Sequence, residues 1–169
     1  MSNTYAESQA VFRDACIFGT GVLKLYADHT TNKVCTERVW LEEIVVDEAE
    51  AQYGSPRTLH QTKIVHREML LAQYGDDADK KNLILNAASA LYAAATTKDM
   101  IQVTESWHLP SAPNSNDGVY IISLKEGTLH KEEYSKAFFP FVMFRWQDGL
   151  RSFFGQGIIE QVFSTQLEI

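Results

Sequence analysis

Short runs with an apolar period of two, each closed within a few residues by a reversal signal, are set beside a few segments of helical period. That arrangement leaves few architectures open. Residues 22–27 lead through Asp28-His29-Thr30-Thr31-Asn32-Lys33 into residues 34–41, the pattern of a β-hairpin. Ile44-Val45-Val46 is a short β-branched run, closed by Asp47-Glu48-Ala49-Glu50 and the turn Tyr53-Gly54-Ser55-Pro56. Strands are expected over 57–65, 100–108, 119–124 and 141–146, with Asn116-Asp117-Gly118 and Glu126-Gly127 as turns between them. Helical spacing marks residues 4–18, with Tyr5, Ala6, Ala10, Val11, Ala15 and Phe18 on one face. It returns in a short helix over 67–74. A further helix, capped by Asp77 or Asp79, is expected to bury Leu83, Ile84, Ala87, Ala88, Leu91, Tyr92 and Ala95. Helices segregated from antiparallel strands make the fold class α+β. No internal linker stands out, so residues 1–169 are read as one domain.

Size and composition agree with a packed protein. The 169 residues are 45% hydrophobic and 11% aromatic, enough for a substantial core and far from the composition of a disordered chain. Twenty-two acidic against 15 basic residues give a net charge of −7 with no basic block, which argues against this segment gripping DNA through its phosphates. A passage along which DNA slides is served by weak or repulsive walls, so DNA passing nearby remains compatible. Cys16 and Cys35 are too few and too scattered for a disulfide framework or a zinc site, and a reducing compartment fits them. No apolar run approaches the roughly 20 residues that cross a bilayer, so no membrane partner is expected.

The motifs that carry chemistry are sparse. His108 and Trp107 beside Glu105 offer the parts of an acid–base site, against the alternative of a strand end where such groups pack or cap a turn. His29, His60, His66, His108 and His130 lack metal-ligand spacing. Glu42-Glu43 and Asp76-Asp77 are adjacent acids, which point apart and share no site. Gly19-Thr20-Gly21 and Gly155-Gln156-Gly157 have neither the Walker lysine nor GxGxxG spacing. The first reads as a helix stop, the second as the start of a helix whose backbone must approach a neighbour closely. No catalytic residue, cofactor or metal is therefore assigned.

The densest apolar feature is the aromatic series Phe138, Phe139, Phe141, Phe144, Trp146, Phe153 and Phe154. Alternation buries only Phe139, Phe141 and Met143, or only Phe144 and Trp146, on any one face of a strand. The surplus suits a subunit contact. From Gly157 onward Ile158, Ile159, Val162, Phe163 and Leu167 repeat at helical spacing up to Ile169, with no Gly, Asn or Pro stop. That pattern is expected of a helix continuing into a longer protein. Phe144, Trp146, Phe153, Phe154, Ile158 and Val162 are the candidate oligomer interface.

Five segments in order carry a resemblance. They are Asp14-Ala15-Cys16-Ile17-Phe18-Gly19-Thr20-Gly21, Glu43-Ile44-Val45-Val46-Asp47, Pro56-Arg57-Thr58-Leu59-His60-Gln61, Trp107-His108-Leu109-Pro110, and residues 154–169. Together they resemble the portal proteins of tailed bacteriophages, the head-to-tail connectors, over nearly the whole chain from Asp14. The resemblance implies part of the outer wing running into the start of a stem helix. It implies a ring-shaped homo-oligomer, commonly dodecameric, at one capsid vertex of the virion and assembled in the bacterial host cytoplasm. Its implied partners are the terminase packaging motor, head-completion or adaptor proteins, capsid and scaffold proteins, and double-stranded DNA passing through the channel without sequence-specific binding. The motor's ATPase belongs to a separate protein in that family, and no nucleotide motif occurs here. Two other classes stay open on the residues alone: a monomeric protein-binding module using the aromatic block, and a small hydrolase centred on His108 and Glu105.

Overall fold

A helix of 15 residues ends at Gly19, whose φ of 87° lies where a side chain is strained and glycine is not. In this computed structural model, which describes residues 4–28, 32–52, 56–89, 99–113, 115–149 and 152–167, that helix is α1 (Thr4–Phe18). The chain continues through β1 (Thr20–Asp28), β2 (Lys33–Val39), β3 (Ile44–Val46), α2 (Glu48–Ala51), β4 (Thr58–His66), α3 (Arg67–Tyr74) and α4 (Ala78–Asn86). It finishes with β5 (Met100–His108), β6 (Val119–Ser123), β7 (Thr128–Glu133), β8 (Phe141–Arg145) and α5 (Ile158–Leu167). Five helices and antiparallel sheets are present among the described residues, so the fold is α+β. Among the described residues no helix is long and apolar enough to cross a membrane.

Two compact units organise the chain: Met1–Pro56 with Phe139–Ile169, and Arg57–Phe138. Neither passage between them has linker composition, which is why the sequence reads as one domain.

In the first unit β1 is the middle strand of the order β2-β1-β8, antiparallel to both. Register places Gly21, Leu23 and Leu25 of β1 on one face with Arg38 and Thr36 of β2 and Phe144 and Val142 of β8. α1 packs on that face. A Cβ at Gly21 would stand 2.0 Å from the Val11 carbonyl oxygen, so glycine is what lets helix and strand meet. Val11, Asp14 and Ala15 are the buried residues of α1, whereas Tyr5 and Phe18, expected on the buried face, are exposed. Asp14 enters because Arg38 donates to both its carboxylate oxygens at 2.6 Å, a bidentate pair that offsets the cost of burying the charge.

In the second unit β4, β5, β6 and β7 run antiparallel in that order. Leu70 of α3, Ile84 of α4 and Ala87 pack with Ile101, Val103, Leu124 and Leu129 into one core. Pairing passes from Ile122↔His130 to Ser123↔Thr128, which leaves Leu129 as the extra residue of a bulge. Asp77, one of the two expected caps, accepts from the backbone N–H groups of Asp79 and Lys80 at the start of α4. α4 is shorter than the periodicity suggests. Ala87 is extended, Ala88 is exposed, and Leu91, Tyr92 and Ala95 lie outside the described residues.

The end of α4 is closed by a cation. The Arg67 guanidinium donates to the carbonyl oxygens of Ile84, of Leu85 at 3.1 Å and of Ala87 at 2.9 Å, acceptors that a helix end otherwise leaves open. Arg67→Met keeps the aliphatic stem and removes these donors. The expected loss is about 1–3 kcal/mol of stability, read as a lower urea midpoint with an unchanged m-value.

Candidate oligomer interface

The root of α5 is fixed by backbone meeting backbone within the first unit. A Cβ at Gly155 would lie 2.5 Å from the Gly19 carbonyl oxygen and 2.6 Å from that of Gln147, and one at Gly157 would lie 2.5 Å from that of Ile17. A Cβ at Gly19 would fall 2.0 Å from the Gly155 oxygen. Gly19 of the first glycine pair therefore meets Gly155 of the second with no room for a side chain between them, while Gly157 lies against the last turn of α1. Hydrogen bonds complete the junction: Gly155 N–H donates to Thr20 Oγ1 at 2.7 Å, Trp146 N–H to Gly19 O at 3.0 Å, and Gln156 N–H to Gln147 O at 2.9 Å.

From that root α5 carries a partly exposed apolar stripe. Ile158, Ile159, Val162 and Phe163 are 40, 52, 48 and 61% exposed, and the spacing puts them on one side of the helix. The side chain of Gln161, elsewhere on the helix, contacts the Gln147 side chain.

A second apolar surface lies on the same unit. Phe12 of α1 packs at ring-centroid distances of 5.6 Å on Phe144 and 6.2 Å on Trp146, and the three remain 51, 43 and 39% exposed. Phe153 and Phe154 sit apart from this cluster in character. They are half-buried, edge to face at 5.3 Å, and Arg145 holds Phe153 by a 2.7 Å bond to its carbonyl oxygen and by its guanidinium over the ring. The six residues singled out in the sequence thus divide into Phe144 with Trp146, Phe153 with Phe154, and Ile158 with Val162. Phe12 escapes the sequence reading because it stands alone on a helix, and only the tertiary fold joins it to the aromatic series.

The acid–base candidates do not converge. β5 alternation puts Glu105 on the face shared with Trp107 and His108 on the opposite face. Glu105 accepts from the Tyr120 hydroxyl at 3.0 Å, while His108 Nδ1 lies 2.9 Å from Thr58 Oγ1 and His108 Nε2 lies 3.4 Å from Arg57 Nη2. A cleft of about 500 Å³ beside the start of β5 is lined by Gln102, Thr104, Lys125 and Glu126 among others, with no histidine or cysteine. Among the described residues no three His, Cys, Asp or Glu side chains gather as metal ligands, and the thiols of Cys16 and Cys35 are free.

No protein-family model matches this chain, and no curated protein matches its sequence.

Two outcomes follow from this geometry. Gly155→Ala is expected to lose about 1–3 kcal/mol, because two carbonyl oxygens must move. Gly127→Ala should lose less than about 1 kcal/mol, since its nearest neighbours, at 3.0 and 3.1 Å, are the methyl groups of Leu83. Urea unfolding of the two variants side by side measures the contrast. The second outcome concerns pH. Burial first, and the negative charge of Glu105 second, hold the Tyr120 hydroxyl far above its ordinary value of 10.0; burial also raises Tyr74 and Tyr134. The folded chain keeps these protons when the unfolded chain has released them. Their contribution to stability is present below pH 10 and is lost as pH rises above it, so the urea midpoint should fall on the alkaline side, and less steeply in Tyr120→Phe.

Proposed function

We propose that this chain is a portal segment of a tailed bacteriophage, a structural part of the ring at one capsid vertex. The observation that carries the proposal is α5: ten residues, rooted by glycine contacts, with four large apolar side chains 40–61% exposed along one side. A helix this short is marginal in water without tertiary packing, so the stripe calls for a partner. The colinear resemblance to portal proteins supplies the rest: the partner is the next copy in a closed ring, through which the genome is packaged and ejected.

On this reading the chain works by assembly geometry and performs no catalysis. One contact repeats about an axis until it closes. The terminase motor, adaptor and scaffold proteins dock on the assembled ring, and double-stranded DNA passes through it without sequence-specific contacts. The binding-module alternative draws on the same exposed apolar groups. It differs in leaving the protein monomeric. The position of Glu105 and His108 on opposite faces of β5 supports the assembly reading over the hydrolase alternative.

Native mass spectrometry of the complete gene product decides between the two. A closed ring of about a dozen subunits is expected. A monomer or dimer that persists at high concentration would overturn the portal reading in favour of the binding module.

A further inference from the structure

The first unit exposes apolar side chains in several places, Val34 and Trp40 among them, and two of these groups are contiguous, the aromatic cluster by ring contact and the α5 stripe by helical spacing. The Phe12–Phe144–Trp146 cluster is 39–51% exposed and the α5 stripe 40–61%. Resting on the portal reading, we propose that the cluster of one subunit receives the α5 stripe of the next copy. The contact is heterologous: two different surfaces of the same chain meet, and each copy presents both.

Three observations favour this pairing over α5 against α5. A contact between two equivalent stripes would leave the aromatic cluster bare, whereas stripe on cluster covers both surfaces at once. Its branched aliphatic and aromatic groups suit ring faces, and the only charge on α5 is Glu160, which keeps the centre of such a contact free of desolvated ions. The glycine junction also ties α5 to the unit that carries the cluster, through Gly155 on Gly19 and Gly157 on Ile17. The two surfaces are therefore held at a set angle. A set angle between the two halves of a heterologous contact is what makes successive copies close into a ring instead of a random chain.

Area sets the strength. An aromatic side chain offers about 150–250 Å², so the exposed parts of the three rings amount to roughly 200–300 Å². With a similar stripe the apolar contact is roughly 500 Å², less than half of the ~1,200–2,000 Å² of a stable interface. A single contact is weak and must be measured at high concentration, whereas a ring gains from closing on itself.

Complementation by two variants tests the pairing. Phe144→Asp damages the cluster and Val162→Asp the stripe, both at exposed positions, and equal urea midpoints establish that each variant is folded. In sedimentation at roughly 0.5 mM the unaltered chain is expected to self-associate, and each variant alone to do so about tenfold more weakly. An equimolar mixture should form a one-to-one dimer, joined by the intact stripe of Phe144→Asp and the intact cluster of Val162→Asp. Association of Phe144→Asp alone at full strength would overturn the proposal in favour of α5 pairing with itself. Failure of the mixture to dimerise, where the unaltered chain associates, would overturn it too while leaving ring assembly standing. A monomeric unaltered chain at this concentration would assign both surfaces to other proteins.

Discussion

Backbone pressed against backbone where Gly19 meets Gly155 is the constraint on which the first unit turns. At that point α1 has just ended, β1 is beginning, and the chain returns from β8 to start α5, so four elements share a space with no room for a Cβ. The junction is made of carbonyls and N–H groups, and its strength does not depend on the apolar side of α5. Surface helices ordinarily gain their stability by burying an apolar face against the body that carries them. α5 is held at its root instead, and its apolar face is left for something else.

The second unit behaves in the opposite way. Its helices fill one face of the sheet with Leu70, Ile84 and Ala87, and the polar groups on the opposite face pair locally, His60 with Ser106 at 2.8 Å and Thr58 with His108 at 2.9 Å. Hydroxyls and imidazoles satisfied by cross-strand neighbours give a sheet face little to gain from a partner. The second unit also exposes Ile64, Met69, Leu85 and Phe138, whereas the first unit carries the aromatic cluster and the apolar stripe of α5.

How much of this was legible follows from the kind of signal each element carries. α1, α3 and β5 have the residue ranges that periodicity predicts, because their apolar spacing is local and their ends carry stop or turn residues. β7 was not expected. Its sequence TLHKEE is polar except for one residue, as suits a strand at the edge of a sheet, and a bulge breaks the alternation that would reveal it. α2 was hidden inside an acidic stretch, although Asp47 caps it by accepting from Ala49 and Glu50. Burial of Asp14 could not be read from α1 alone, since Arg38 is 24 residues away in sequence. The site was half legible for the same reason: α5 carries its own period, but the aromatic series splits according to strand face and tertiary neighbours.

Charge explains why an apolar contact suits this chain better than an ionic one. Each copy carries −7, so copies brought together in the proposed ring would repel one another. Exposed ion pairs contribute little under cellular salt and cannot offset that repulsion dependably. Apolar burial is indifferent to the sign of the charge around it and is strongest where charges are few. The acidic residues are concentrated elsewhere, as in the run Asp47, Glu48 and Glu50, while α5 holds a single carboxylate and the cluster three uncharged rings. In the proposed ring, repulsion over the surface would guard against indiscriminate aggregation, and the two proposed contact surfaces, whose relative angle the glycine junction sets, would supply the attraction.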